Sequence, residues 1–359
     1  MALVRKIVAW TLAPLSIMYG VVVVIRNWLF NMGILKECAH NVVTISVGNI
    51  SCGGTGKTPH VAYLLQLLAD KYPTALVSRG YMRQSKGYVC NDGSNSAALL
   101  GDEPSMIARK FPEVTVAVCK NRNEAVSRLL QQEEPPQLVV LDDAYQHRFI
   151  KPSINILLTD YRHPYYSDLL LPFGTLREPR AARRRAQVII VTKCPEKMSA
   201  LVRRDLLLSL KTYPYQKVFF SSVQYSDLVA LGTGRTLPAE QLSQVLLLTG
   251  IAYPKPIERY LKRYCKVVSK AFPDHHDFTD RDIAEIRSLY EAQHNDKCVI
   301  VTTEKDAARM GNVSPFGDLP IYVLPIKVVI QSNDDESFDE YIDKRVQEIR
   351  RSLQSNAKQ

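Results

Sequence analysis

The sequence predicts an α/β protein with a doubly wound parallel sheet, a second, smaller α/β domain and an apolar helix at the N-terminus. Short, continuous apolar runs alternate with helical patterns along most of the chain, which is typical of parallel strands buried on both faces. A glycine-rich loop follows the first of these runs, and paired acids follow a later one. Both features lie where open α/β sheets bind their ligands.

Length and composition indicate an ordinary folded protein. At 359 residues the chain is long enough for two hydrophobic cores. Its 46% hydrophobic and 23% charged residues exclude wholesale disorder, and its net charge of +10 suits an anionic partner: nucleic acid, anionic lipid or a phosphorylated substrate. General surface basicity is the alternative. The seven cysteines form no C-x-x-C pair, which indicates reduced thiols with neither a disulfide framework nor a zinc site.

The first apolar feature is an uncharged stretch at residues 7–25, flanked by Lys6 and Arg26. It is at the lower limit of length for a membrane span, and no cleavage site of a secretory signal follows it. Since the phosphate-binding loop described next must meet cytosolic nucleotide, we expect residues 1–36 to form a helix that lies in or dips into the cytoplasmic leaflet. A single span and a buried core helix are the alternatives.

The second feature is a glycine-rich loop at residues 46–59, between a β-branched strand and a helical pattern. Glycines let backbone N–H groups surround phosphates, the helix N-terminus adds positive charge, the lysine reaches the outer phosphates and the threonine hydroxyl holds Mg²⁺. Ser51 stands where the G-x-x-x-x-G-K-[ST] pattern has glycine, so this is a variant P-loop; the alternative is a helix that starts after a flexible turn. The predicted nucleotide-binding residues are Gly53, Gly54, Thr55, Gly56, Lys57 and Thr58.

Two pairs of acids follow at element ends. Asp102 and Glu103 stand at the start of a predicted helix, where Asp102 is either an N-cap or a carboxylate near the phosphates. Asp142 and Asp143 end the apolar run 138–141, as in a Walker B strand whose aspartate positions Mg²⁺. Solvated acids capping a strand are the alternative, and the nearby His147 is expected to be structural.

A loop rich in proline and glycine at 171–179 ends in Arg177 and Glu178. A guanidinium there can spread its donors over phosphate oxygens. The arginines at 183–185 are expected to form a solvated helix face or a patch that faces anionic lipid.

The predicted domain organisation has five segments. They are the apolar helix at 1–36, the P-loop core at 37–217, a linker at 218–240, the smaller α/β domain at 241–332 and a polar C-terminal helix and tail at 333–359. Within the smaller domain, the polar cluster at 274–277 is expected to hold a base or a base-orienting residue rather than a metal, because successive residues rarely converge on one ion.

Taken together, these motifs resemble the tetraacyldisaccharide 4′-kinase family of lipid A biosynthesis. The matching stretches are 47–50, 53–59, 101–104, 142–143 with 146–147, 176–179, 249–252, 274–276 and 303–306. They occur in the family's order, and the family itself carries the altered P-loop with Ser51. Ala144 is a departure, since the family usually has glycine after the paired acids.

The resemblance implies a membrane-associated kinase that transfers the γ-phosphate of ATP, with Mg²⁺, to the 4′-hydroxyl of a tetraacylated glucosamine disaccharide 1-phosphate on the cytoplasmic face of the bacterial inner membrane. It implies that Asp102 is the catalytic base, paired with His275, and that Lys57 holds the β- and γ-phosphates. Arg177 would neutralise phosphate charge. The metal would be organised by Thr58, Asp142, Asp143 and Glu178. We expect neither a nucleic-acid partner nor an obligate protein partner.

A rival hypothesis is a P-loop GTPase acting as a switch or metallochaperone. The stretch Thr192-Lys193 at a strand end is similar to the start of a guanine-reading loop, but Pro195 follows where that loop has aspartate. A binding or scaffold protein with a vestigial P-loop is a third possibility.

Overall fold

The computed structural model describes residues 2–251, 253–274, 276, 278–293, 298–310, 316–331 and 336–356. Its strands belong to two sheets. In chain order they are β1 Val43–Asn49, β2 Thr74–Ser78, β3 Val89–Cys90, β4 Thr115–Val118, β5 Leu138–Asp142, β6 Ile154–Asp160, β7 Val188–Thr192, β8 Lys217–Tyr225, β9 Leu228–Ala230, β10 Thr236–Leu237, β11 Gln244–Thr249, β12 Lys266–Ala271, β13 Cys298–Thr303, β14 Ile321–Leu324 and β15 Ile326–Gln331.

The helices cover both faces of these sheets, apart from the N-terminal one. They are α1 Ala2–Asn31, α2 Lys57–Leu68, α3 Ala97–Leu100, α4 Asp102–Lys110, α5 Arg122–Leu129, α6 Ala200–Leu210, α7 Lys255–Leu261, α8 Asp280–Glu291, α9 Glu304–Met310 and α10 Phe338–Asn356, with short 3₁₀ turns at Tyr165–Ser167, Arg180–Arg185 and Ala239–Gln241.

The larger sheet has the strand order β15-β8-β7-β6-β1-β5-β2-β4-β3. It is parallel except at its edges, where β3 and β15 pair antiparallel to β4 and β8. Strands β1, β2, β5 and β7 are buried along their whole length, as continuous Val/Ile/Leu runs require in a sheet covered on both faces. The predicted doubly wound α/β fold is confirmed, and the loops after β1 and β5 meet at one edge because their parent strands are hydrogen-bonded neighbours.

The smaller sheet has the order β10-β9-β14-β13-β11-β12. Its strands β11 to β14 are parallel, while β9 and β10 pair antiparallel. Helices α8 and α9 pack against it, and we call this sheet with its helices the smaller unit. Helix α9 also contacts α4, which belongs to the larger unit around the nine-stranded sheet.

Sheet membership divides the chain at other residues than the predicted boundaries. Strand β8 begins at residue 217, so it spans the predicted boundary between 217 and 218, and it belongs to the larger sheet. The predicted linker at 218–240 also contains β9 and β10, which belong to the smaller sheet. Strand β15, which we placed in the smaller domain, returns to pair with β8. The local pattern of a short apolar strand does not say which of two sheets it joins, so the division into domains remains a prediction.

Helix α1 leaves most of its apolar surface uncovered. Residues 13–31 are long and apolar enough to cross a membrane by length and composition, and only 11% of that window is buried. The side chains of Leu15, Met18, Val22 and Ile25 are about half exposed or more. A buried core helix is therefore the wrong interpretation of this segment.

Candidate active site

The P-loop runs from the end of β1 into α2 and is held by side chains beneath it. Gly53 and Gly56 have φ values of 107° and 86°, which glycine adopts without strain. Buried Asn49 donates its side-chain amide to Thr55 Oγ1 at 2.9 Å. The loop is thus preformed, with the N-terminus of α2 directed into it.

Lys57 and Arg177 both contact Asp143. The Lys57 Nζ lies 3.6 Å from Asp143 Oδ1, and the Arg177 Nη1 lies 3.4 Å from Asp143 Oδ2. Arg177 is carried to the P-loop because its backbone N–H donates to Ile50 O at 2.7 Å. The structure therefore brings together three residues that are far apart in sequence, of which Lys57 and Arg177 are predicted to serve the phosphates and Asp143 the metal.

The paired acids differ in their surroundings. Asp142 is buried and accepts a hydrogen bond from Ser78 Oγ at 3.1 Å, while Asp143 has a left-handed φ of 45°. Burial, followed by the charges of Glu103 and Asp143, raises the pKa of Asp142 to about 7, although Lys57 and Ser78 oppose the shift. The left-handed residue is Asp143 rather than Ala144, so alanine at that position imposes no backbone strain.

These carboxylates fit a divalent cation. Asp142 Oδ1 and Asp143 Oδ1 are buried without a hydrogen-bond partner, and a cation would supply the missing positive charge. Within the described ranges, no group of three or more His, Cys, Asp or Glu residues is arranged to hold an ion by itself. That agrees with a site for Mg²⁺, which is commonly held by one or two carboxylates together with substrate phosphates. Thr58, at the second position of α2, lies half-buried next to Lys57.

Glu178 faces another direction from Arg177. Its buried carboxylate forms an ion pair with Arg185 Nη2 at 2.7 Å and accepts a hydrogen bond from Asn27 Nδ2 of α1 at 3.3 Å, and its Oε1 is buried without a hydrogen-bond partner. These contacts direct Glu178 to Arg185 and α1, and its role as a metal ligand remains a prediction.

Asp102 is the first residue of α4, and Gly101 is the N-cap. The helix has no side-chain cap, so the N-cap explanation of Asp102 does not hold. Instead, Asp102 Oδ2 accepts a hydrogen bond from Arg309 Nε at 2.8 Å, and the charge of the neighbouring Glu103 acts on Asp142. The N-terminus of α4 is therefore within electrostatic reach of the paired acids. His275 lies outside the described residues.

Helix α1 is tied to the loop that carries Arg177. Ser16 Oγ donates to Leu170 O at 2.8 Å, and Tyr19 OH donates to Arg177 O at 2.7 Å. Between α1 and residues 169–173 lies an apolar groove of about 560 Å³. One loop thus contacts both the apolar helix and the P-loop.

Two cationic side chains of this site, Lys193 and Arg309, are not among the site residues that the sequence predicts. Lys193 contacts the P-loop carbonyl of Gly54 and pairs with Asp160 at 2.7 Å, so the Thr192-Lys193 stretch braces the P-loop. Arg309 lies on α9, three residues after Asp306 of the 303–306 motif. The local signal for Arg309 is its spacing of three residues from Asp306, which places the two side chains on one face of the helix.

The neutral state of His147 agrees with a structural role. Burial, followed by the charges of Arg122, Arg26 and Arg79, lowers the pKa of His147 to about 4. At neutral pH this imidazole is uncharged, so it is not available as an imidazolium acid.

Comparison with known proteins identifies relatives over nearly the whole chain. A protein of Bacteroides thetaiotaomicron, named tetraacyldisaccharide 4′-kinase, is 43% identical over 357 residues, which cover 94% of this chain and 93% of the relative. A tetraacyldisaccharide 4′-kinase of Flavobacterium johnsoniae is 43% identical over 347 residues, covering 95% of this chain and 98% of the relative.

A solved structure agrees with these relatives. The crystal structure of LpxK from Aquifex aeolicus in complex with ATP superposes with a TM-score of 0.74 at 28% identity, covering 95% of this chain and 99% of that chain. The model of the family described as tetraacyldisaccharide-1-P 4′-kinase matches residues 8–347. The chain belongs to the tetraacyldisaccharide-1-P 4′-kinase family.

Proposed function

We propose that this chain transfers the γ-phosphate of ATP to the 4′-hydroxyl of tetraacyldisaccharide 1-phosphate. Family membership supports the reaction, and one geometric observation supports its placement here. Lys57, Asp143 and Arg177 meet beside the P-loop, while Asp102 begins a helix whose next residue acts electrostatically on Asp142. We therefore assign the phosphate donor and the base for the acceptor to the same edge of the larger sheet.

The donor side is assigned as follows. The P-loop amides of residues 53–56 and the N-terminus of α2 bind the phosphates, and the Lys57 ammonium holds the β- and γ-phosphates. Thr58, Asp142 and Asp143 would hold Mg²⁺, which would neutralise charge on the phosphates. Lys57 and Arg177 both contact Asp143, which places the two cations beside the P-loop.

On the acceptor side, Asp102 accepts the proton of the 4′-hydroxyl as the hydroxyl oxygen attacks the γ-phosphorus. The bond between the γ-phosphorus and the β,γ-bridging oxygen breaks, and ADP leaves. Arg177 balances charge on the transferring phosphoryl group. If the transition state is loose, positioning and charge neutralisation contribute more than proton removal. We therefore expect Lys57→Ala to lower turnover at least as much as Asp102→Ala.

The lipid acceptor is supported by α1. Its exposed apolar face suits the headgroup–acyl boundary of the cytoplasmic leaflet of the inner membrane, and the apolar groove beside residues 169–173 suits an acyl chain. The net charge of +10 favours a phosphorylated lipid in an anionic membrane.

The test is ATP-dependent phosphorylation of tetraacyldisaccharide 1-phosphate in mixed micelles containing Mg²⁺. We expect turnover by the wild-type chain and a loss of about 10²-fold or more in Asp102→Ala and in Lys57→Ala. Lys71→Ala is the matched control, because this lysine of the same helix region is half exposed and pairs only at the surface with Asp343. A nearly normal Lys57→Ala enzyme would contradict the P-loop assignment.

Nucleotide competition distinguishes the proposed kinase from the rival P-loop GTPase. Excess GTP should compete poorly with ATP, and phosphoryl transfer should require the lipid. Preferential GTP hydrolysis without an acceptor would instead support a switch protein.

A further inference from the structure

An arginine of the smaller unit reaches the proposed base. Arg309 of α9 donates from Nε to Asp102 Oδ2 at 2.8 Å, across the contact between α9 and α4. Its side chain is 1% exposed, whereas that of Asp102 is 17% exposed. The arginine is therefore enclosed by protein, whereas the carboxylate that it holds is partly exposed.

The orientation of Arg309 is fixed from its other side. Its Nη1 donates to Asp306 Oδ1 and to Gly250 O, both at 3.1 Å. Asp306 is itself held, since it accepts hydrogen bonds from Gly250 N at 3.0 Å and from Thr303 Oγ1 at 2.7 Å. The loop after β11 and the start of α9 thus form a rigid support for one guanidinium.

The close approach at Gly250 shows how tightly this support is packed. A Cβ atom at Gly250 would lie 2.9 Å from Asp306 Oδ1 and 3.2 Å from Pro273 O. Only glycine leaves room for the carboxylate that orients Arg309. This gives the motifs at 249–251 and 303–306 a shared physical role.

We propose that Arg309 is a positioning residue that fixes the carboxylate of Asp102 for proton acceptance. The inference rests on the proposed function, in which Asp102 is the base. Two peripheral ion pairs hold the contact between α9 and α4, Lys110 with Glu304 at 2.9 Å and Lys305 with Glu103 at 3.8 Å.

A stabilising role alone does not account for this arrangement. Enclosing a guanidinium between two carboxylates carries a desolvation cost that their attraction barely offsets, so such clusters are weak evidence for stability. The cluster instead fixes an orientation. Because the planar guanidinium of Arg309 is bound on one edge to Asp306, it can hold the Asp102 carboxylate in one orientation. Because Arg309 shares its charge with Asp306, it neutralises Asp102 only in part.

The first experiment compares Arg309→Lys and Arg309→Ala with the wild-type chain. A misplacement of about 1 Å can cost about 10²-fold in rate, so we expect kcat to fall by about that factor in Arg309→Ala and less in Arg309→Lys, with KM for ATP changed less than about threefold. Guanidinium added to Arg309→Ala should restore part of kcat. Arg287→Ala is the matched control, because this arginine of α8 pairs at the surface with Asp318 and should leave kcat unchanged.

The second experiment is a double-mutant cycle with Asp102→Asn. If Arg309 acts through Asp102, then Arg309→Lys should lower kcat strongly in the wild-type background and hardly at all in the Asp102→Asn background. Equal losses in both backgrounds, or parallel losses of kcat, ATP affinity and melting temperature without rescue by guanidinium, would overturn the inference. Full activity of Asp102→Asn itself would instead reject the proposed base, which keeps the two failures distinct.

Discussion

Removing the charge of Asp142 should stabilise the nucleotide-free protein while abolishing its activity. Asp142 is buried beside Asp143, and burial together with Glu103 and Asp143 raises its pKa from 3.8 to about 7. Asp142→Asn keeps the size of the side chain and the hydrogen bond to Ser78. It removes only the negative charge.

The size and sign of the effect follow from proton linkage. A rise in pKa from 3.8 to about 7 corresponds to at most about 4 kcal/mol, since each pKa unit is worth about 1.4 kcal/mol. The folded chain holds this proton more tightly than the unfolded chain, so the stability it contributes is complete below about pH 4 and is lost as the pH rises through about 7. The Asp142→Asn variant would have no such loss, because the amide side chain does not ionise.

The assay is thermal unfolding without divalent ions at a series of pH values between about 5 and 8. We expect the melting temperature of the wild-type chain to fall as pH rises relative to that of Asp142→Asn, with the variant several degrees higher near pH 8. Asp318→Asn, at a position that is 90% exposed, controls for a general effect of charge removal. A variant that melts below the wild-type chain near pH 8 would refute the reasoning, because the buried charge would then not be destabilising.

Three further substitutions test the supports of the site. Lys193→Met removes a charged hydrogen bond to the P-loop, so KM for ATP should rise by about tenfold in steady-state assays. Gly48→Ala places a Cβ atom 2.7 Å from Tyr145 Cβ, and chemical denaturation should show a loss of about 1–3 kcal/mol. Tyr19→Phe removes the 2.7 Å hydrogen bond to Arg177 O, so kcat should fall by up to about fivefold with KM for ATP unchanged; an unaffected kcat would show that α1 does not position this loop.

The features that the sequence predicted well are those with local signals. The P-loop at 53–58 and the acids at 142–143 follow apolar strands directly, and the parallel sheet aligns their ends at one edge. The strands were visible as continuous β-branched runs because both faces of the sheet are buried. Residues placed by a strand end and its following turn could therefore be located without knowledge of tertiary contacts.

The features that were missed depend on contacts between distant segments. Arg309 and Asp102 are 207 positions apart, and nothing in the periodicity of α9 says which helix its arginine faces. Strand β15 resembles the strands of the smaller sheet in composition but pairs with β8 of the larger one. Such choices depend on the free energy of packing for the whole chain, which no short window of sequence contains.

The adjacent residues Arg177 and Glu178 show how one loop connects helix α1 to the P-loop. Arg177 faces the P-loop through Asp143, whereas Glu178 faces α1 through Asn27. Ser16, Tyr19 and Asn27 lie on one face of α1 at helical spacing, and they form the hydrogen bonds to this loop, while the opposite face is apolar and exposed. In the proposed membrane-bound arrangement, these hydrogen bonds would make the depth of α1 in the bilayer set the height of Arg177 above the lipid surface. A helix that served only as a tether would need no polar contacts to the loop that carries Arg177.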